Sequence, residues 1–297
     1  MTTELRLDAL RAAAPRHRPA ARRPAAVALR AVFYLLLTVC AVGLLMPFFW
    51  MLMSSLKSAN EVFTAPIHWL PGTFVWDNYV QIWQHSAILT WIRNTLILSV
   101  TVTFLQLLTG SFAAYGFARV RFPGRDLLFL LYVGTIAVPW QSYMIPQFVM
   151  FSKFHLTDTL YSVMLLQAFG AFGVFLMRQY YLTIPEELLE AARLDGMSEY
   201  GIWARIMLPL SLPALASLTL LTFTTTWNDY LGPLLYLRSP GNWTLQLGLQ
   251  TFIHTLYNAN YAWLFAGLTL SVIPIAVIFG LGQRYFIAGI ATSGLKG

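Results

Sequence analysis

The sequence predicts an all-α membrane protein of six transmembrane helices. Three observations carry this expectation. Hydrophobic residues make up 58% of the chain and charged ones 10%, far from the balance of a water-soluble domain. The apolar residues gather into charge-free runs of about 20, the length an α-helix needs to cross hydrocarbon. None of these runs shows the short alternation of a barrel strand. Backbone in hydrocarbon must satisfy its own hydrogen bonds, so each run should be helical. With 297 residues and no Ser/Gly-rich linker, one compact bundle is expected. Cys40 is the only cysteine, which leaves neither a disulfide framework nor a Cys/His cluster for zinc.

Residues 1–30 form a basic arm that alternates Arg with Ala and Pro and carries Arg6, Arg11, Arg16, Arg18, Arg22, Arg23 and Arg30. It suits a solvated tail that fixes orientation, or one that touches lipid headgroups. Residues 31–56 carry no charge. That run exceeds the roughly 7–15 residues of a signal-peptide core, so it reads as a retained first span. Further spans fit residues 95–118, 127–152, 159–177, 206–228 and 262–283. Pro139 and Pro146 in the third and Pro274 in the sixth predict kinks or breaks, because proline removes an amide donor and clashes with the preceding turn. The transmembrane domain then runs over 31–284, with a tail at 285–297.

Six spans put both termini on one side, and the basic residues say which. Fifteen of the nineteen Lys and Arg fall on the arm, on Arg119, Arg121 and Arg125, on Arg178, Arg193 and Arg205, and on Arg284 and Lys296. Only Lys57, Arg93, Lys153 and Arg238 lie opposite. The excess marks the cytoplasmic face, so both termini and the loop between spans four and five are expected there. The first outward loop holds Trp69, Trp76, Trp83 and Trp91, which suit an interfacial aromatic belt or a partner-docking surface.

Several chemistries lack their residues. There is no Gly-rich phosphate loop of the type Gly, four residues, Gly-Lys-Ser/Thr, so the chain should not hydrolyse ATP. No charged group falls deep within a span, as an ion-coupled carrier commonly needs. Asp229 comes nearest, yet it lies about 30 Å along the fifth span from Pro209, at the outer boundary. The histidines His17, His68, His85, His155 and His254 have no plausible Ser or Cys partner, so no enzyme is expected. Neither rings of charge nor a filter sequence suggest a channel. A passage driven by another protein's energy remains.

The loop at 185–209 concentrates charge: it holds five of the twelve acidic residues, so a working surface is expected there. Pro185 suits a first helical turn, with Glu186, Glu187 and Glu190 near its positive end. Gly196 can take the left-handed conformation that ends a helix. Ser198 can cap a second helix reaching Leu208, which Pro209 closes or bends. Leu188, Ala191, Ala192 and Asp195 share one face of the first helix, and Ile202, Trp203 and Ile206 form an apolar stripe beside Arg205 on the second. Such a unit could dock into a groove of a soluble protein, or pack as an interfacial helix against its own bundle.

The spacing Glu190-Ala191-Ala192, two residues, Asp195-Gly196, then Ile206 and Leu208-Pro209 resembles the Glu-Ala-Ala signature of ATP-binding-cassette (ABC) importer permeases. The likeness covers most of the chain from about Pro47 and is strongest to maltose-type carbohydrate permeases. Ser54-Ser55-Leu56-Lys57, Asn78-Tyr79, Asn94-Thr95, Ala114-Tyr115-Gly116-Phe117-Ala118-Arg119, Trp227-Asn228-Asp229 and Gln283-Arg284-Tyr285-Phe286 agree with it, as does the terminal Lys296-Gly297. The basic arm has no counterpart.

The resemblance implies a sugar importer subunit of a bacterial or archaeal cytoplasmic membrane. The loop would be a cytoplasmic coupling helix docking on an ATPase through Glu190, Ala191, Ala192, Asp195, Gly196, Ile202 and Arg205. The implied partners are a second, similar permease, two ATPase subunits and an extracytoplasmic sugar-binding protein, with membrane lipid around the spans and no nucleic acid. ATP and Mg would sit on the ATPases, with no cofactor on this chain. ATP must then favour one transmembrane state over the other by several kcal/mol, since equal affinity shifts nothing. Trp227, Asn228 and Asp229 are candidates for docking, structure or substrate contact, and Lys296 and Gly297 for a tail contact with the ATPases. The rival reading is an ion-coupled sugar carrier acting alone.

Overall fold

The computed structural model describes residues 24–253 and 260–294, with side chains from 29 to 253 and from 260 to 283. No strand occurs among the described residues. The chain divides into two units, one ending at Trp50 and one beginning at Met51. The first unit holds most of α1 (Pro24–Ser55), which starts within the expected arm and continues as the first apolar span. Residues 1–23 of the arm lie outside the described residues.

In the second unit, α2 (Asp77–His85) precedes α3 (Ile88–Arg119), a helix of 32 residues that extends the expected second span at both ends. The third apolar run is not one helix. It divides into α4 (Arg125–Gly134) and α5 (Met144–Lys153), joined through short 3-10 turns. The break falls at Pro139, whose ring pushes the preceding Val138 into extended backbone and whose missing amide removes a helical donor; Pro139 itself is extended too. Pro146 is accommodated in the first turn of α5, where its absent amide has no intrahelical partner to lose.

The fourth run, also expected as one helix, is interrupted between α6 (Leu160–Gln167) and α7 (Ala171–Leu182). The fifth begins with α8 (Glu187–Leu194) and α9 (Glu199–Ile202). A π-helical turn at Trp203–Met207 follows α9, then Leu208–Leu210, and the axis bends by 79° at Ser211 into α10 (Leu212–Trp227). The widened turn lies where the Pro209 ring would meet the Arg205 carbonyl, and Pro213 removes a second donor just beyond the bend. After α11 (Leu231–Tyr236) and α12 (Leu245–Leu249), α13 (Tyr261–Gly294) runs on through Pro274 and through most of the expected tail.

By length and apolarity, four helical stretches among the described residues can cross a membrane: Leu29–Ser55, Ile88–Arg119, the interrupted Leu160–Leu182 and Tyr261–Gln283. The bent pair around Ser211 adds a fifth.

Helix α3 is the axis of the second unit, packing on α6, α7, α10 and α12. At Gly110 the backbone of α7 at Gly173 and Val174 lies within ordinary contact of where a Cβ would stand, so α3 and α7 pack closely there. One core cluster, with Tyr115, Met177, Leu189 and Ile202, seats α8 and α9 against α3 and α7. Another, with Ile82, Trp91, Trp227 and Leu249, closes the opposite end of α3 and α10. Two short sequence motifs act as staples here. Asn78 donates to the carbonyls of Ser55 and Lys57 at 2.9 and 2.8 Å, and Asn94 to those of Gly241 and Trp243 at 2.9 and 3.0 Å.

Candidate functional site

The loop at 185–209 folds as two short helices about a turn, as its residues predict. Glu187 and Glu190 lie in the first turn of α8, where the helix end is positive. At its other end the Gly196 amide donates to Arg193 and the Met197 amide to Ala192, both at 3.0 Å. Gly196 takes φ +79°, so this is a Schellman-type stop built on glycine. Ser198 then caps α9, accepting from the Gly201 amide at 3.3 Å.

Burial separates the expected docking residues into two sets. Glu190, Ala191, Asp195, Gly196 and Arg205 are exposed, and Leu194 at the tip is 89% exposed. Ala192 and Ile202 are buried within the chain's own core, with Ile202 fully so. The apolar stripe expected to face a partner is thus an inner face that anchors α9. Three- and four-residue spacing defines a face but cannot say which way it turns.

An alternating chain of charges holds the unit to the bundle. Arg119, the last residue of α3 and mostly buried, pairs with Glu186 and donates to the Ile184 carbonyl. Glu186 also accepts from Arg193 at 3.2 Å. Arg193 reaches across the turn to Glu199 at 2.9 Å, and Glu199 accepts from the Tyr115 hydroxyl of α3. The bond from Arg193, and then that from Tyr115, hold the Glu199 carboxyl below its ordinary range. Glu199 bonds chiefly, and Glu186 next, hold the Arg193 guanidinium more firmly protonated. Sequence reading placed Tyr115 and Arg119 in a motif but gave no hint of this network, whose members lie up to 84 positions apart.

A second feature lies between the broken helices. Two adjoining hollows of about 340 and 500 Å³ share Trp140, Tyr143, Leu166, Gln167 and Thr225 in their walls. Of the triplet at 227–229, only Asp229 lines them, accepting from Gln167 at 2.6 Å and from the Gly232 amide at 3.2 Å. Trp227 is buried elsewhere, stacked on Phe223 and bonded to the Ser271 carbonyl at 3.0 Å. Asn228 is exposed and donates to Thr224. Trp227 is therefore a packing residue. Gln106, Gln167 and Thr226 join Asp229 in the walls. Their mark in the sequence is an uncharged polar side chain inside an apolar run, Gln106 and Gln167 each standing among apolar neighbours. Lys296 and Gly297 lie outside the described residues.

Residues 106–292 match the family described as binding-protein-dependent transport system inner membrane component. The chain is 37% identical over 250 residues to the arabinooligosaccharides transport system permease protein AraQ of Halalkalibacterium halodurans, covering 83% of this chain and 89% of that one. It is 29% identical to the diacetylchitobiose uptake system permease protein NgcG of Streptomyces coelicolor, covering 89% and 88%. Among solved structures it resembles a chain of a bacterial ABC transporter involved in the import of the acidic polysaccharide alginate. The TM-score is 0.78 and the identity 26%, covering 89% of this chain and 98% of that one.

Proposed function

The chain belongs to the binding-protein-dependent transport system inner membrane component family, and on that premise we propose that it is the permease subunit of an ABC importer that carries a neutral sugar or oligosaccharide inward. Its spans would number six, the broken run at 125–153 joining the four apolar stretches and the bent pair around Ser211. Both termini and the 185–209 unit would face the cytoplasm, as the distribution of Arg and Lys argues.

One observation carries the coupling role. The exposed tip at Ala191, Leu194 and Asp195 sits on a unit whose charges run without interruption into the end of α3. A push on the tip would be passed to the bundle rather than absorbed in the loop. The pushing partner would be an ATPase dimer holding ATP and Mg, with a second permease beside this chain and a binding protein delivering sugar from outside. Relatives named for arabinooligosaccharide and diacetylchitobiose transport support the substrate class. The test is sugar uptake into proteoliposomes with and without the ATPase subunits. Uptake should require ATP and the ATPase, and equal uptake by the purified chain alone would overturn the reading.

The rival, an ion-coupled carrier, has one observation in its favour, the Asp229 carboxylate lining a hollow. It predicts uptake that collapses with the ion gradient and ignores ATP.

A further inference from the structure

Two breaks in the apolar runs face one another. The non-helical backbone around Pro139 and the interruption between α6 and α7 both line the larger hollow, which Thr135, Val138, Phe169 and Gly170 help to form. Irregular backbone at membrane depth persists only where protein buries it or where it lines a watered cavity. Here side chains from α3 cover part of the debt: Gln106 donates to the Gln167 carbonyl at 2.7 Å and Thr109 to the Ala168 carbonyl at 3.1 Å. The Gln106 amide lies so close to Gly170 that a Cβ there would come within 2.8 Å of its oxygen.

The polar groups continue as a row. Thr222 donates to Gln106 at 3.2 Å, Thr226 to the Gln167 side chain at 2.9 Å, and Gln167 to Asp229 at 2.6 Å. Thr222 and Thr226 are one turn apart on α10, roughly 6 Å along its axis, and Asp229 lies just beyond its end. Opposite stand Trp140 and Tyr143, with the Trp140 indole fixed by Gln147 at 2.8 Å. An aromatic face opposing amides, hydroxyls and one carboxylate suits a ligand with an apolar ring face and a rim of hydroxyls. Among the described residues of both walls the only charged side chain is Asp229.

We propose that this row is a sugar-contact site carried by this subunit, which accepts neutral saccharides and repels anionic ones through Asp229. The proposal rests on the importer reading but is tested apart from it. In membranes holding the assembled transporter, with Cys40→Ala as background, Thr225→Cys places a thiol in the walls of both hollows. A cationic trimethylammonium-ethyl methanethiosulfonate should label it about tenfold faster than the anionic sulfonatoethyl reagent. Adding Asp229→Asn should bring that ratio below about twofold. A neutral oligosaccharide chosen from a di- to tetrasaccharide panel by ATP-dependent uptake should slow labelling at least about threefold, and an alginate trisaccharide should not. An inert thiol, equal rates for the two reagents, or equal protection by the anionic sugar would overturn the site. Absence of any ATP-dependent uptake would instead count against the importer reading, while the two reagents still decide whether the hollow is watered and negative.

Discussion

Arg193 and Glu199 form an ion pair of 2.9 Å that bridges the turn at Gly196, tying the last turn of α8 to the first turn of α9. Glu199 is also held by Tyr115, and Arg193 shares Glu186 with Arg119, so both helices of the unit are fastened to α3. A partly exposed pair of this kind contributes only about 0–1 kcal/mol to stability. Its expected value is geometric, in making the tip and the end of α3 move together.

Arg193→Ala should therefore leave membrane insertion and thermal stability near wild type, while sugar uptake and binding-protein-stimulated ATPase activity fall about threefold to tenfold. Glu199→Gln should act in the same direction. Uptake per ATP hydrolysed, measured in proteoliposomes, separates lost coupling from lost protein. Unchanged values in both variants would remove the network from the mechanism.

Gly196→Val places a β-branched residue at φ +79°, a conformation that costs an ordinary residue about 1–2 kcal/mol. The turn should open and uptake should drop about tenfold or more, with the chain still inserted. Asp195→Lys, exposed at the same turn, should reduce uptake and stimulated ATPase activity without opening it. Normal uptake in both would contradict a docking role for the tip.

Gly170→Ala would displace the end of the Gln106 side chain and is expected to weaken its bond to the Gln167 carbonyl. A typical hydrogen bond contributes about 0.5–1.5 kcal/mol net, so the melting temperature of the purified protein should fall modestly, and Gly170→Ser should behave no better. Wild-type melting in Gly170→Ala would show that the break does not depend on this contact.

In the turn between α5 and α6, Asp158 takes φ +59° and accepts from the Ser239 hydroxyl and from the amides of Ser239 and Arg238 at 2.9 Å. The Ser239 hydroxyl bond, then the backbone bonds, push its carboxyl down to about 2. A depressed value means the folded state favours the ionised group. The stabilisation is thus complete above the ordinary value of 3.8 and fades as pH falls toward 2. Asp158→Asn keeps the backbone conformation and removes the charge. It should lower the melting temperature at neutral pH and flatten its decline between about pH 4 and 2, as followed by tryptophan fluorescence.

Much of this architecture was legible because it rests on local chemistry. Uncharged runs mark apolar helices, Gly196 and Ser198 mark the turn of the 185–209 unit, and Pro139 marks a break. The interruption at 168–170 has no local mark, since Gly170 is a common residue in a membrane helix and the side chain that bonds the freed Gln167 carbonyl, Gln106, is distant in the chain. Ile202 was assigned outward because periodicity has no sign; only packing against α3 and α7 turns it inward. Trp227 and Asp229 are two positions apart and were read together, yet the chain leaves its helix between them and sends one to the core and the other to the hollow.

The central claim is that the tip at 185–209 touches the ATPase. A photo-crosslinking amino acid placed at Leu194 in the assembled transporter tests it most directly, with the same residue at buried Ile202 as control. The account predicts an adduct between this chain and an ATPase subunit from position 194 and none from 202. A transport-competent complex that yields no ATPase adduct from position 194 would contradict it.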